Sequence, residues 1–178
     1  MITAGAWAAG MVPSLEDLAV PERQVLAWLQ PTKPSLFAPD KFPVFNAYFD
    51  EGRYYGFPVF GIPGFKIGRY NHFREVVDPD QMSHEVSLED EEILRAAAAK
   101  YFPKANGTLM TLKTCMFTNT PDEHFIIDID PAYPQVSIAA GFSGHGFKFA
   151  SVVGEILADL AIEGKTDHNI DLLKIDRF

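Results

Sequence analysis

The stretch "VSIAAGFSGHGFKFASVVGEILADLAIEGKT", Val136–Thr166, decides how this part of the chain folds. Its opening apolar run is typical of a strand that is buried on both faces. Three glycines follow the run, namely Gly141, Gly144 and Gly146. An apolar stripe with helical spacing then predicts a helix over residues 147–163, with Gly164 as its C-terminal cap. The members of this stripe are Phe149, Val153, Ile156, Leu157 and Leu160.

The glycine-rich turn between this strand and helix allows two interpretations. Free N–H groups at a helix N-terminus can meet an anion or the polar edge of a ligand. Alternatively, the glycines only let the helix pack close to the sheet. The spacing G-x-x-G-x-G is not the dinucleotide motif G-x-G-x-x-G, nor a Walker loop. Lys148 in the first predicted helical turn opposes the helix dipole, which makes it a candidate for function, although it can also simply reach solvent.

The rest of the chain predicts an α+β fold. Strands are expected at residues 21–31 and 64–73, and residues 42–61 predict a hairpin with Asp50, Glu51 and Gly52 as its turn, so these strands form an antiparallel meander. An acidic segment then leads into a helix that Ser87 and Asp90 start as a capping box and Pro103 ends. The acidic run is interpreted as a solvated helix start without a function of its own. Three further strands are expected within residues 107–118, 124–131 and 135–142.

Composition restricts the function. The chain has 178 residues, a formal net charge of −9 and no basic run, which argues against a nucleic-acid partner. A single cysteine, Cys115, rules out an internal disulfide framework, and with no convincing signal peptide it favours the cytoplasm. No apolar segment approaches the roughly 20 residues of a membrane span. The five histidines show no metal-ligand spacing, so no metal is expected. Cys115 itself is either a small buried apolar residue or a reactive thiol.

Five segments together resemble the C-terminal portion of the monomeric sarcosine oxidase and N-methyltryptophan oxidase family, which are flavin-dependent amine oxidases. They are "ITAGAW" (Ile2–Trp7), "YYGFPVFG" (Tyr54–Gly61), "GFKIGRYNH" (Gly64–His72), "KTCMFTNTPDEHFIID" (Lys113–Asp128) and the opening stretch. The resemblance implies an FAD-dependent enzyme that oxidises a secondary or N-methyl amino acid to the imine and reduces O2 to H2O2.

The resemblance also implies roles for individual residues. Cys115 matches the cysteine that joins FAD covalently, and Lys66 matches a catalytic lysine held near flavin N5, where oxygen is reduced. Lys148 matches a catalytic lysine that pairs with the substrate carboxylate. Tyr55 matches a residue of the substrate pocket, and either His72 or Asn71 takes the place of an active-site histidine. The cofactor-binding residues implied are Cys115, Met116, Phe142, Gly144, His145, Gly146, Phe147 and Lys148.

The family's dinucleotide motif is absent from this sequence. The chain is therefore interpreted as the C-terminal half of a two-domain FAD oxidase. Residues 1–20 are expected to end a first FAD-domain segment, residues 21–108 to form an antiparallel or mixed substrate domain, and residues 109–178 to return to the FAD domain. The expected partners are a small amino-acid substrate, O2 and a missing N-terminal half. An inactive remnant, or a half that complements a separate FAD-binding chain, is the alternative, and a related amine oxidase or dehydrogenase with other substrates is a third reading.

Overall fold

The computed structural model describes residues 1–178 and has mixed α+β structure, which confirms the predicted fold class. The chain divides into two compact units. We call Arg23–Glu75 with Met82–Cys115 the sheet unit, and Met1–Glu22, Val76–Gln81 and Met116–Phe178 the glycine-loop unit. The strands are β1 (Val20–Leu29), β2 (Phe45–Phe49), β3 (Gly52–Phe57), β4 (Phe65–Arg69), β5 (Leu109–Asn119), β6 (Ile126–Ile129) and β7 (Ser137–Ala140). The α-helices are α1 (Ala8–Met11), α2 (Leu88–Tyr101) and α3 (Ala150–Glu163).

The five strands β1 to β5 form one sheet in the order β2-β3-β4-β1-β5. The predicted meander is confirmed, because β2 pairs with β3 and β3 pairs with β4, both antiparallel. Strand β4 also pairs antiparallel with β1. It is shorter than predicted, since the chain turns after Arg69. Thus β4 lies in the centre of the sheet, with a neighbour on each side.

Helix α2 covers one face of this sheet. The predicted capping box is present: the Ser87 hydroxyl accepts from the Asp90 N–H, and the Asp90 carboxylate accepts from the Ser87 N–H. The side chains that meet between helix and sheet are Val25, Ala27, Leu29, Tyr54, Phe65, Ile67, Leu94, Ala97 and Ala98. One expectation is wrong, because the acidic helix start is not wholly solvated: Asp90 is buried and pairs with Arg23.

The glycine-loop unit is built around β6 and β7, which pair antiparallel. Ile2 adds a parallel bridge to Ile138, and all four residues of β7 are buried, as the sequence predicts. Alternate residues of β7 face opposite sides: Ala139 packs with α3, whereas Ile138 packs with the N-terminal segment. This short sheet is therefore covered on both faces.

Helix α3 ends where the sequence predicts but starts later. Gly164 follows it with φ 69°, the left-handed conformation of a helix cap. Residues Phe147–Phe149 form a 3-10 turn before the helix. Lys148 therefore lies in this turn and not, as predicted, in the first turn of the α-helix. Neither α3 nor any other helix has the combination of length and apolar character needed to cross a membrane.

Candidate functional site

Lys66 lies on the face of the sheet opposite to α2, which we call the site face. Its neighbours in β4, Phe65 and Ile67, are both completely buried against α2. Because successive side chains of a strand point to opposite faces, Lys66 is directed away from the helix. Its direct cross-strand partners are Trp28 in β1 and Phe57 in β3. The Lys66 ammonium nitrogen lies 4.9 Å from the centroid of each of these two rings.

Tyr55 also lies on the site face, above Gly68. The two residues are cross-strand partners, and a Cβ atom on Gly68 would lie 2.7 Å from the Tyr55 ring. Only glycine leaves room for the ring in this position. The Tyr70 ring meets Tyr55 edge-on at a centroid distance of 4.9 Å. Burial raises the pKa of the Tyr55 phenol well above its ordinary value, and the neighbouring Cys115 and Tyr70 contribute to the rise. Tyr55 is therefore a neutral hydrogen-bonding group at physiological pH.

Cys115, in β5, is partly buried. Burial raises the pKa of its thiol, and the positive charge of Lys66 offsets part of the rise. The sheet unit therefore brings three residues with predicted roles together: Cys115 lies within electrostatic range of both Tyr55 and Lys66. As a protonated thiol at neutral pH, Cys115 would have to lose its proton before it could act as a nucleophile.

His72 lies in a different environment from these three residues. Its side chain is 1% exposed, and its Nε2 is 2.9 Å from the Asp90 carboxylate. Burial lowers the pKa of His72 in spite of the opposing effect of Asp90, so the ring is neutral at physiological pH. In this position the His72 ring contacts α2 through Asp90 and is enclosed by protein. Asn71, the alternative residue, is partly exposed and has a left-handed φ of 51°. The predicted substrate contact of His72 remains a prediction.

In the other unit, the glycine loop packs tightly against its surroundings. Gly144 has a φ of 75°, and a Cβ atom there would collide with the ring of Phe117. A Cβ atom on Gly146 would collide with Phe142. The loop is anchored by Ser143, whose N–H donates to the Thr118 carbonyl at 2.9 Å. These two glycines therefore allow close packing against aromatic rings, and their open side remains accessible to a ligand.

A largely apolar groove of about 770 Å³ runs along the open side of this loop. Gly5 and Gly154 border open space, since a Cβ atom on either would meet nothing within 4 Å. Of the residues predicted to bind the cofactor, the groove is lined by Met116, Phe142, Gly144, Gly146 and Phe147. Phe147 is 96% exposed and therefore offers an aromatic surface that a ligand can contact. Bare backbone beside apolar side chains fits a flat, mainly apolar group such as a flavin ring.

Lys148 and His145 lie outside this groove. They line a smaller cavity of about 280 Å³ together with His124, Phe125, Phe149 and Leu173. The Lys148 ammonium donates to the His145 carbonyl at 2.6 Å and lies 4.7 Å from the centroid of the Phe149 ring. His145 Nε2 donates to the Glu123 carbonyl at 3.0 Å. The contact of Lys148 with a substrate carboxylate, and of both residues with a cofactor, therefore stay predictions.

The aromatic neighbours of Lys66 were not predicted from the sequence. The sequence predicts only that Trp28 and Phe57 lie in strands. In the structure, buried and partly buried residues alternate at the end of β1, so Trp28 lies on the face of the sheet that points away from the core. Recognising the contact requires the strand register, because Trp28 and Lys66 are far apart in sequence. Tyr70, which packs on Tyr55, was likewise missed.

Comparison with known proteins gives the family. A family model described as FAD dependent oxidoreductase matches residues 1–160. The chain belongs to the FAD-dependent oxidoreductase family. It is 44% identical over 182 residues to a monomeric sarcosine oxidase from Bacillus sp. (strain NS-129), covering 99% of this chain and 46% of that protein. It is 33% identical over 185 residues to N-methyl-L-tryptophan oxidase from Escherichia coli (strain SMS-3-5 / SECEC), covering 100% of this chain and 47% of that protein. These matches confirm the resemblance.

Solved structures show that the fold of this FAD-dependent oxidoreductase chain is shared. L-proline dehydrogenase from P. horikoshii matches with a TM-score of 0.73 and 24% identity, over 99% of this chain and 46% of that one. A fructosamine oxidase from Aspergillus fumigatus, Amadoriase II, matches with a TM-score of 0.74 and 23% identity, over 98% and 43%. The chain thus spans about half the length of the curated relatives it matches.

Proposed function

We propose that this chain forms the C-terminal half of a flavin-dependent amine oxidase acting on a secondary or N-methyl amino acid. The amine would lose two electrons and two protons, one proton from a C–H bond and one from the N–H bond, to become the imine, and O2 would accept them to become H2O2. FAD, when bound, would carry the two electrons between these partners. The observation that carries the proposal is the grouping of Lys66, Tyr55 and Cys115 in the sheet unit, since these are residues to which the family resemblance gives roles.

Each of these residues has chemistry that suits its proposed role. The Lys66 ammonium would stabilise negative charge that develops on oxygen as it is reduced. Tyr55 would line the substrate pocket as a neutral phenol. Cys115 is partly exposed and would hold the cofactor through a thioether, in which its sulfur replaces one hydrogen of the flavin 8α methyl group. The two electrons and two protons released would be taken up by the flavin and passed on to O2.

The glycine-loop unit would provide the remaining contacts. The groove beside Gly144 and Gly146 would hold the flavin ring, and the N–H groups that follow Gly146 would donate to its polar edge. Lys148 would pair with the substrate carboxylate after leaving the His145 carbonyl, because its side chain is exposed and can change rotamer. We further propose a cytoplasmic location, which suits a protein with a single free cysteine.

Reconstitution tests the proposal. The 178-residue chain alone should bind FAD poorly and produce negligible peroxide, since it lacks the dinucleotide motif. Co-expression with the N-terminal part of the Bacillus sp. (strain NS-129) relative should give a complex with flavin absorbance and peroxide production that depends on an N-methyl amino acid. The matched variant Cys115→Ala should yield flavin that is released by acid, whereas wild-type flavin stays with the protein. The proposal is overturned if the complex binds FAD but oxidises no N-methyl or secondary amino acid.

The alternative, a non-catalytic half that complements a separate chain, is tested by the same complex. This alternative requires that complex formation occur without amine oxidation. A complex that forms and oxidises the amine at a rate proportional to its flavin content argues against it.

A further inference from the structure

We propose that Trp28 and Phe57 form an aromatic clamp that fixes the ammonium group of Lys66 on the site face. The inference rests on the proposed function in one respect, namely that Lys66 is the residue beside which oxygen is reduced. Trp28 and Phe57 are then positioning residues, since they act on oxygen only through Lys66.

The strand register creates the clamp. Lys66 has Trp28 as its direct partner in β1 and Phe57 as its direct partner in β3, so a ring stands on each side of it. Both centroids lie 4.9 Å from the ammonium nitrogen, within the limit of about 6 Å for a cation–π contact. A lysine side chain has several freely rotating bonds, and contact on two sides restricts them.

The chemical character of the clamp matters as much as its shape. No carboxylate pairs with Lys66 anywhere in the structure. A carboxylate partner would hold the ammonium equally well but would neutralise its charge. Aromatic faces attract the cation without cancelling that charge and without occupying its N–H donors. The ammonium therefore remains able to donate to, and to stabilise, a negatively charged oxygen species.

A second explanation is that the two rings merely cover the sheet. Phe57 is 37% exposed, and Trp28 lies close to Gly64, since a Cβ atom on Gly64 would be 3.2 Å from the Trp28 Cβ. If packing were their only role, replacing either ring by leucine would leave the position and function of Lys66 unchanged. The two explanations therefore make different predictions for variants that keep apolar bulk and remove the ring.

The first experiment measures the clamp in the 178-residue chain itself. Lysines are converted to ¹³C-dimethyl-lysine, which keeps the positive charge, and Lys66→Met identifies the Lys66 signal in the carbon–proton NMR spectrum. We expect this signal to be shifted upfield by the two ring currents. Trp28→Leu and Phe57→Leu should each move it towards the signals of the exposed lysines, whereas Trp28→Phe, Phe57→Tyr and the control Phe60→Leu should not. Phe60 is suitable because it is an 81% exposed aromatic residue of the same unit.

Circular dichroism of each variant accompanies the spectra. If Trp28→Leu fails to fold, Phe57→Leu decides the question, because a partly exposed side chain at that position tolerates substitution better. An unchanged Lys66 signal in a folded leucine variant overturns the clamp.

The second experiment measures the consequence in the reconstituted complex described above. Rapid mixing separates anaerobic reduction by the amine from the subsequent reaction with oxygen. The leucine variants should slow the oxygen step roughly tenfold, the order expected when a cation–π-positioned charge is lost from a dry site. The amine step should stay within about twofold, and Trp28→Phe should restore the oxygen step. Equal slowing of both steps, or of neither, overturns the positioning role.

The two experiments separate the inference from its premise. A wild-type complex that binds FAD without oxidising any amine refutes the proposed function and, with it, the role of the clamp in oxygen reduction. The NMR result still decides whether the clamp exists. A complex that is active, combined with leucine variants that react normally with oxygen, refutes the inference alone.

Discussion

Replacing Asp90 by asparagine should destabilise the sheet unit strongly. The Asp90 carboxylate accepts hydrogen bonds from both Arg23 amino groups, at 3.0 and 2.9 Å, and from the Ser87 N–H at 2.8 Å. His72 Nε2 lies 2.9 Å from the same carboxylate. The Arg23 and Asp90 side chains are only 6% and 2% exposed. The Asp90→Asn change keeps the shape of the side chain and removes the negative charge. The buried Arg23 guanidinium is then left with only the half-exposed Glu75 carboxylate, 3.5 Å away, as a charged partner.

The magnitude follows from this burial. Removing one partner of a buried ion pair costs about 3–5 kcal/mol, because the remaining charge cannot regain its hydration. The capping box would be weakened as well, although an asparagine side chain can still accept from the Ser87 N–H. We therefore expect a loss of about 4 kcal/mol in the free energy of unfolding of this unit.

Urea unfolding provides the assay. The chain has two tryptophans, Trp7 and Trp28, so a Trp7→Phe background leaves Trp28 as the fluorescent reporter of the sheet unit. With a urea dependence of about 2 kcal/mol/M, the midpoint should fall by about 2 M. Glu89→Gln is the matched control: it removes a negative charge from the same helical turn, but from an exposed residue, and should change stability by no more than about 0.5 kcal/mol. An Asp90→Asn midpoint no lower than that of Glu89→Gln would refute the reasoning.

Three further outcomes are expected. Burial holds the pKa of His72 below its ordinary value of about 6.5, so as pH falls the imidazole of the unfolded chain binds a proton before that of the folded chain. The sheet unit should therefore lose stability as pH falls from 7 to 5. The His72→Asn variant should lose less over this range, as measured by urea titrations at each pH. The Arg177 guanidinium donates two hydrogen bonds to Asp122, at 2.8 and 3.1 Å, and holds the pKa of that carboxyl at about 2. Arg177→Gln should therefore speed removal of the last residues by carboxypeptidase, and an unchanged rate of digestion would contradict this. Gly144→Ala should destabilise the glycine-loop unit by about 2 kcal/mol, because Gly144 has a left-handed φ and an added Cβ atom would collide with the Phe117 ring. Gly154→Ala should stabilise the unit by up to about 1 kcal/mol, because Gly154 lies inside α3 and an added Cβ atom would meet open space. Equal thermal midpoints for the two variants would contradict both expectations.

Local features of the fold were predictable from the sequence. The capping box of α2 and the Gly164 cap of α3 depend on residues only a few positions apart, and both are confirmed. The four buried residues of β7 follow from an unbroken apolar run. The start of α3 was predicted too early, because an apolar stripe does not distinguish a 3-10 turn from the first turn of an α-helix.

Features that depend on distant residues were not predictable. Asp90 looked like one of several solvated acids, and only the fold brings Arg23, 67 residues earlier, against it. The place of Lys148 depends on a rotamer that the sequence does not determine, and in the structure its ammonium bonds to the His145 carbonyl. Its predicted role came from resemblance alone. A resemblance carries over residue identities and leaves side-chain orientations open.

The orientation of the site face is determined by residues that have no chemical role of their own. Each functional or positioning side chain alternates with a buried one: Lys66 stands between Phe65 and Ile67, and Trp28 stands between Ala27 and Leu29. A register shift of one residue would bury the Lys66 ammonium against α2 and expose two large apolar side chains, so hydrophobic burial selects the register. The same register sets Trp28 and Phe57 directly opposite Lys66. The position of the cation on this surface is therefore a consequence of how the core packs on the other side of the sheet.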